Sequence, residues 1–189
     1  LKPRAASLLL LTALVSIVAA QSVVARIEGN QLHIAAPRVH FLIGEALQKL
    51  KDGATVSYEL QLTLRADGSV KALARSVEHF SVSYDLWEEK FAVARVSGTA
   101  KSISHLSATA AEAWCVDNTS LPAGVLPASE PFWVRLDYRA DDPAAPTEAE
   151  NSSFTLGGLV DIFSRRVRRE QIHGTEEVGP LRVSDLRRK

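Results

Sequence analysis

Val56-Ser57-Tyr58-Glu59-Leu60-Gln61-Leu62-Thr63-Leu64-Arg65 alternates apolar and polar side chains without interruption, and its reading decides the fold. A helix would scatter Val56, Tyr58, Leu60, Leu62 and Leu64 around its circumference, whereas a pleated strand sets all five on one face. The stretch is therefore read as a half-buried strand. Burying those five side chains contributes about 8 to 15 kcal/mol at roughly 1.5 to 3 kcal/mol each, an upper figure because the unfolded chain already hides some surface.

Working outward from this strand, Asp67-Gly68 supplies a hairpin turn, and Val70 to Leu73 begin a return strand. Phe80, Val82, Tyr84 and Leu86 then continue the alternation, but the apolar set that follows, Phe91 and Val93, falls on odd numbers. One extra residue exchanges the two faces of a strand, so a bulge or tight turn is expected within Trp87-Glu88-Glu89-Lys90. Ser97-Gly98-Thr99 is the next turn signal. After the loop holding Pro122, Gly124, Pro127 and Pro131, a third clean alternation runs from Phe132 through Val134 and Leu136 to Tyr138.

Upstream, Val23 to Glu28 and Gln31 to Ala35 flank Gly29-Asn30 and predict a first hairpin. Ile43, Ala46, Leu47 and Leu50 recur at three-and-four spacing and predict a short helix between Gly44 and Lys51, ended by Asp52-Gly53. A second, Ala-rich helix is expected from about Ser107 to Val116, with Thr109 and Glu112 at the spacing of a capping box. Residues 141–153, rich in Pro, Ala and acidic side chains, read as a linker or surface loop. Leu156, Leu159, Val160, Phe163 and Val167 fit one face of a helix that ends in Arg165, Arg166, Arg168 and Arg169, and Leu181, Val183 and Leu186 suggest a last edge strand.

The 189 residues have room for one domain and an exported leader. Lys2 and Arg4 precede a charge-free run from Ala5 to Ala25 whose strongly apolar part ends near Ala20. That length suits a secretory signal better than a bilayer span. Val18 and Ala20 occupy the minus-three and minus-one positions of a cut that leaves Gln21 as the mature terminus; a cut after Ala25 is the second option, and an uncleaved anchor the third. Removing Lys2 and Arg4 from the 22 basic residues leaves 20 against 22 acidic ones, a charge of about −2. Such a balance gives no electrostatic footprint for nucleic acid. With Cys115 as the only cysteine, no disulfide can form within the chain, so a hydrophobic core must hold it.

Motifs for chemistry are not found: there is no Gly-x-Ser-x-Gly elbow, no phosphate-binding Gly-x-x-x-x-Gly-Lys and no His-Glu-x-x-His. His33, His40, His79, His105 and His173 show no metal-ligand spacing. Glu78-His79 are adjacent on a strand and point to opposite faces, and Asp85, Glu88 and Glu89 are the polar residues expected of a turn. Cys115 beside Trp114 has the setting of a small buried thiol. No catalytic residue, cofactor or metal is expected.

Phe80-Ser81-Val82-Ser83-Tyr84-Asp85-Leu86-Trp87-Glu88-Glu89-Lys90-Phe91-Ala92-Val93, preceded by the helix with Glu45-Ala46-Leu47 and the long strand after Gly53, resembles exported bacterial proteins of domain-of-unknown-function family 4390. The resemblance covers roughly Ile27 to Arg139 and implies an envelope β-rich domain without an established activity. The Trp87-Glu88-Glu89 variant and the arginine-rich tail depart from that family's commoner pattern, and no site is carried over.

The expectation is a mainly β chain: a leader over residues 1–20, an antiparallel β-sandwich of about seven or eight strands over 21–140 with two or three short helices, the linker, and a helix with a basic tail over 154–189 packed on or beside the sandwich. Its expected place is the periplasm or cell envelope. Its expected role is non-catalytic binding of an envelope protein or peptide through an exposed strand edge, with Trp87, Trp133, Arg165, Arg166, Arg168 and Arg169 as candidate contacts. The basic helix also suits peripheral contact with an anionic membrane. Two further readings are a carrier holding an apolar ligand between the sheets, lined by Trp87, Trp114 and Trp133, and an enzyme without a recognisable motif.

Overall fold

A computed structural model describes residues 23–141 and 173–188. The elements are β1 (Val24–Glu28), β2 (Gln31–Ala35), α1 (Gly44–Lys51), β3 (Val56–Ala66), β4 (Ala72–Asp85), β5 (Lys90–Arg95), β6 (Lys101–Leu106), α2 (Ala108–Asp117), β7 (Leu121–Pro122), β8 (Phe132–Asp141), β9 (His173–Leu181) and β10 (Arg187–Arg188), with 3-10 turns at Ala123–Val125 and Val183–Asp185. They form a six-stranded sheet in the order β6-β5-β4-β3-β8-β9 and a four-stranded sheet in the order β10-β1-β2-β7. All pairings are antiparallel except β1 with β10. The mainly β sandwich expected from the alternation is therefore present, with eight strands of five or more residues and two of two residues.

The alternation of β3 carries the packing. Tyr58, Leu60, Leu62 and Leu64 are completely buried, and Val56 nearly so. They meet Phe80 and Val82 of β4, Phe91 and Val93 of β5, and Phe132, Val134 and Leu136 of β8 in one core shared with Ile27, Leu32 and Ile34 of the small sheet. Helix α2 joins the two layers: it packs on β2 of one sheet and on β5 and β6 of the other, contributing Ala111, Cys115 and Val116. Helix α1 lies against β3 and β4 and buries Ala46 and Leu50. Thr63 breaks the simple rule, since it faces outward yet is only 6% exposed. Its register partners are Arg75 and Arg135, whose aliphatic stems are long enough to cover a threonine between them.

The phase slip after Tyr84 is resolved by a turn. Asp85 pairs with Lys90 and Tyr84 with Phe91, so Leu86 to Glu89 form a four-residue loop that exchanges even for odd positions. Asp85 Oδ1 accepts from the amides of Trp87 (2.8 Å) and Glu88 (3.0 Å), and Glu89 closes the turn with a positive φ of 54°. These amides favour the ionised carboxylate and hold Asp85 below its usual range. A lowered folded value means that the contribution is present above the unfolded pKa and lost as pH falls through the folded one. Protection of the Trp87 and Glu88 amides, relative to their intrinsic exchange rate at each pH, is accordingly expected to fall only below the ordinary aspartate range, and Asp85→Ala to lack that protection at neutral pH. Equal exchange in both proteins at pH 7 would contradict this capping role.

Three expectations require correction. The domain does not close at residue 140: β9 lengthens the large sheet beyond β8, and β10 lies beside β1 in the small one. Apart from the two-residue β10 at the margin of the small sheet, the C-terminal edge strand is β9, at His173–Leu181, which stops before Val183 in a 3-10 turn. Its alternation is hidden because Gly174 and Gly179 stand where neighbouring rings lie. A Cβ on Gly174 would come within 2.2 Å of the Tyr138 hydroxyl, and one on Gly179 within 2.6 Å of the Trp133 indole. The capping box is also absent, since the N-cap of α2 is Ser107, whose Oγ accepts from Ala110 N at 3.2 Å. Glu112 turns inward. The leader, most of the linker and the helix with its arginine cluster lie outside the described residues.

Candidate functional site

Two groups stand out: a buried carboxylate that locks the fold, and the exposed margin formed by β6 and the β4–β5 turn. Glu112 is 4% exposed. Its Oε1 accepts from the amides of Phe41 (2.7 Å) and Leu42 (2.8 Å), and its Oε2 lies 2.9 Å from His40 Nδ1. Three donors thus converge on one side chain, which ties α2 to the segment leading into α1. Phe41 is fully buried there, its ring tilted by 47° against that of Tyr58 with centroids 4.7 Å apart, and the Tyr58 hydroxyl donates to the Phe41 carbonyl at 3.2 Å. Burial and the Glu112 charge both push the Tyr58 hydroxyl well above its ordinary pKa. Both oxygens of Glu112 and the Tyr58 hydroxyl are engaged by neighbouring groups, so the cluster is read as a structural lock.

Cys115 lies one turn beyond Ala111 on the same buried face of α2. Burial first, and the Glu112 charge second, hold its thiol far above the range in which a thiolate forms. The folded protein is therefore expected to leave a thiol-specific disulfide reagent unreacted and to consume one equivalent in denaturant. Rapid labelling of the native chain would show that α2 opens.

The margin is different. β6 ends the large sheet, and among the described residues no strand pairs with its outer side. Lys101, Ser102, Ile103, Ser104 and His105 are all exposed along it. At its far end His105, with a φ of 63°, marks an irregularity in the pairing with β5 and reaches across to the β4–β5 turn. Its Nε2 lies 3.0 Å from Glu88 Oε2 and its Nδ1 2.8 Å from Ser104 Oγ. Hydroxyl, imidazole and carboxylate occur in the order used by hydrolases, yet the His105 side chain is 69% exposed and the Glu88 side chain 51%. Such exposure gives no dry environment in which the acid can orient the base, so the chain of contacts fastens the turn to the strand. The pairing was illegible in sequence, where residues 88 and 105 carry no common motif.

That fastening places Leu86 and Trp87, 56% and 96% exposed, beside the end of β6. Trp133 is elsewhere. It is level with Arg65 at the opposite end of β3, lies over Gly179 and donates from Nε1 to Asp67 Oδ1 at 2.8 Å. Trp114 packs edge-on against Phe80 with centroids 6.0 Å apart. The three tryptophans therefore line no common chamber. From Ala72, level with Arg65, to Asp85 the length of β4 separates Trp133 from Trp87, on the order of 40 Å at about 3.3 Å per residue. Glu78 and His79 do part to opposite faces: Glu78 accepts from Ser97 Oγ at 2.5 Å, while His79 stands opposite Glu59. An open groove of about 490 Å³ at the β1–β2 turn is lined by Ile27, Asn30, Leu126 and Val183 and includes none of the predicted contacts.

Among the described residues no three His, Cys, Asp or Glu side chains gather as a metal-binding set, and no helix is long and apolar enough to cross a membrane. Comparison with known proteins returned no matching family model, no similar curated protein and no similar solved structure.

Proposed function

We propose that this chain is an exported, non-catalytic β-domain that binds an envelope protein or peptide by strand addition along β6. The observation that carries the reading is the outer margin of the large sheet, where exposed side chains from Lys101 to His105 flank backbone with no strand beside it among the described residues. An extended partner gains main-chain hydrogen bonds there, and its alternate side chains supply selectivity. Trp87 gives the partner an aromatic anchor at one end of the strand, the kind of residue that dominates interface energetics. Edge strands left open are normally blunted to prevent aggregation. β9 carries Pro180 and an irregularity in its pairing with β8, and β6 carries one at His105 that leaves Lys101, Ser102 and Ile103 in register with Arg95, Ala94 and Val93.

Membership in domain-of-unknown-function family 4390 is part of the proposal, supported by the order of helix, long strand and Ser-Tyr strand. The export reading rests on the apolar leader. A photo-crosslinking residue at Ser102, compared with the same residue at Arg75 on the exposed sheet face, tests the binding reading in the native envelope. One protein or peptide captured from position 102 and not from position 75 is expected. Identical adducts from both, or none from either with circular dichroism unchanged, would remove it.

A further inference from the structure

The two ends of β6 carry opposite charge. Its start is basic: Lys101 is exposed and stands in register with Arg95, whose Nε is 4.0 Å from Glu78. Its end meets the β4–β5 turn, where the carboxylates of Asp85, Glu88 and Glu89 face only Lys90 and the imidazole of His105. Between the two, Ile103 leaves 38% of its surface open, flanked by Ser102 and Ser104. An antiparallel strand suited to this edge must offer a cation beside the turn, an apolar residue opposite Ile103 and a carboxylate near Lys101. β6 with its own turn supplies that set in that order. Resting on the reading that β6 accepts an added strand, we infer that in the free protein its occupant is a second copy of this chain, β6 against β6 about a twofold axis at Ile103.

Charge fixes both direction and register. A parallel pairing would set Lys101 beside Lys101 and one acidic turn beside the other, whereas the antiparallel one sets Lys101 opposite His105, whose imidazole lies 3.0 Å from Glu88. Opposites therefore meet at both ends. Sliding by two residues, the smallest step that keeps every side chain on its own face, would oppose Ile103 to Lys101 or to His105 and lose the match. Trp87, 96% exposed beside the end of β6, gains the aliphatic stem of the partner's Lys101 as a neighbour. The pairing is closed, because it uses the β6 edge of both copies and leaves β9 at each outer margin, where Pro180 has no amide to donate. Assembly stops at two. A ladder running only from Lys101 to His105 is short for a protein interface, so the dimer is reversible and yields to a better-fitting strand.

The test reads this register in the full chain, inside the cells that make it. Ile103→Cys and Lys101→Cys are compared under diamide, which crosses membranes and takes up both thiol hydrogens as the disulfide forms, so every compartment gives the same readout. Residues directly opposite in an antiparallel pair have Cα atoms about 4.5 to 5.5 Å apart, within disulfide reach, whereas the two copies of residue 101 would stand four residues apart, roughly 13 Å. Cys115 is buried, and the unsubstituted chain serves as its control. Covalent dimer should form at least tenfold faster from Ile103→Cys than from Lys101→Cys. Adding Lys101→Glu to Ile103→Cys sets carboxylate against carboxylate and should slow it at least tenfold, and adding Glu88→Lys to both should restore it. A photo-crosslinking residue at Ser102, in an otherwise unaltered chain, should capture the segment around Ser104 of a second copy. Equal rates at 101 and 103, or a dimer indifferent to Lys101→Glu, would overturn self-pairing. No dimer from Ile103→Cys with a different protein captured at Ser102 overturns it and leaves strand addition standing, and capture of nothing removes both.

Discussion

Glu112→Leu is expected to cost about 3 to 5 kcal/mol of stability, among the largest effects of any single change in this chain. The wild-type carboxylate accepts from two buried amides, Phe41 and Leu42, and meets His40 on its other oxygen. Leucine fills similar space but leaves both amides without an acceptor, at roughly 1 to 3 kcal/mol for each buried donor. Losing that anchor also frees Phe41 from its seat on Tyr58. Glu112→Gln should cost less, about 1 to 2 kcal/mol, because its amide oxygen can still accept from both donors. For a chain of this size each kcal/mol moves the midpoint by about 2 to 4 °C, so Glu112→Leu should melt roughly 10 °C below wild type. A midpoint within 2 °C of wild type would show that the segment 40–42 finds other acceptors and that Glu112 is no lock.

Leu62→Ala should cost a comparable amount, about 2 to 5 kcal/mol, while Gln61→Ala on the opposite face should stay within roughly 0.5 kcal/mol of wild type. Leu62 is completely buried and stands between Ser76 of β4 and Leu136 of β8. Its removal leaves a cavity at the middle of the longest pairing in the sheet, where the backbone on both sides is held by hydrogen bonds and cannot collapse inward. Gln61 stands in line with Val77 and Asp137 on the outer face and makes only a 3.3 Å contact to Thr63 Oγ1. Denaturant unfolding of the two variants measures the register directly. Similar losses in both would mean that β3 is packed on both faces, and a loss confined to Gln61→Ala would mean that the strand is turned over.

The large sheet was legible because its inner and outer faces differ in chemistry. β3, the apolar part of β4, β5 and β8 all carry a period of two, and the hairpin turns at Gly29-Asn30 and Asp67-Gly68 are marked by residues that tolerate positive φ. Other parts carry no such mark. β6 has Ile103 as its only large apolar residue before Leu106, since an edge strand has little to bury. β9 is masked by Gly174, Gly179 and Pro180, where rings from β8 occupy the space that its own side chains would have filled. β7 and β10 are two residues long, too short for any period.

Trp87 is conspicuous in sequence as a tryptophan in a polar turn, whereas its position beside β6 follows from His105 and Glu88, which only the fold brings together. Trp133 is a candidate on residue type alone, and in the structure it covers Gly179 and reaches Asp67. The spacing of Glu112 from Thr109 points to a helix cap, because spacing along one helix is all that a sequence displays. Its true partners, about 70 residues earlier, are backbone amides that bear no sequence signature.

By itself, then, the amino-acid sequence determined the period of each central strand, the sites of the tight turns and both helices, because these depend on neighbours within a few positions along one chain. Tertiary structure alone decided that β6 has no strand on its outer side among the described residues, which carboxylate is buried, and that residues 173–188 return to join both sheets. Those outcomes depend on which distant groups fill a given space, and a glycine, a glutamate or a short polar strand acquires its meaning only from what packs against it.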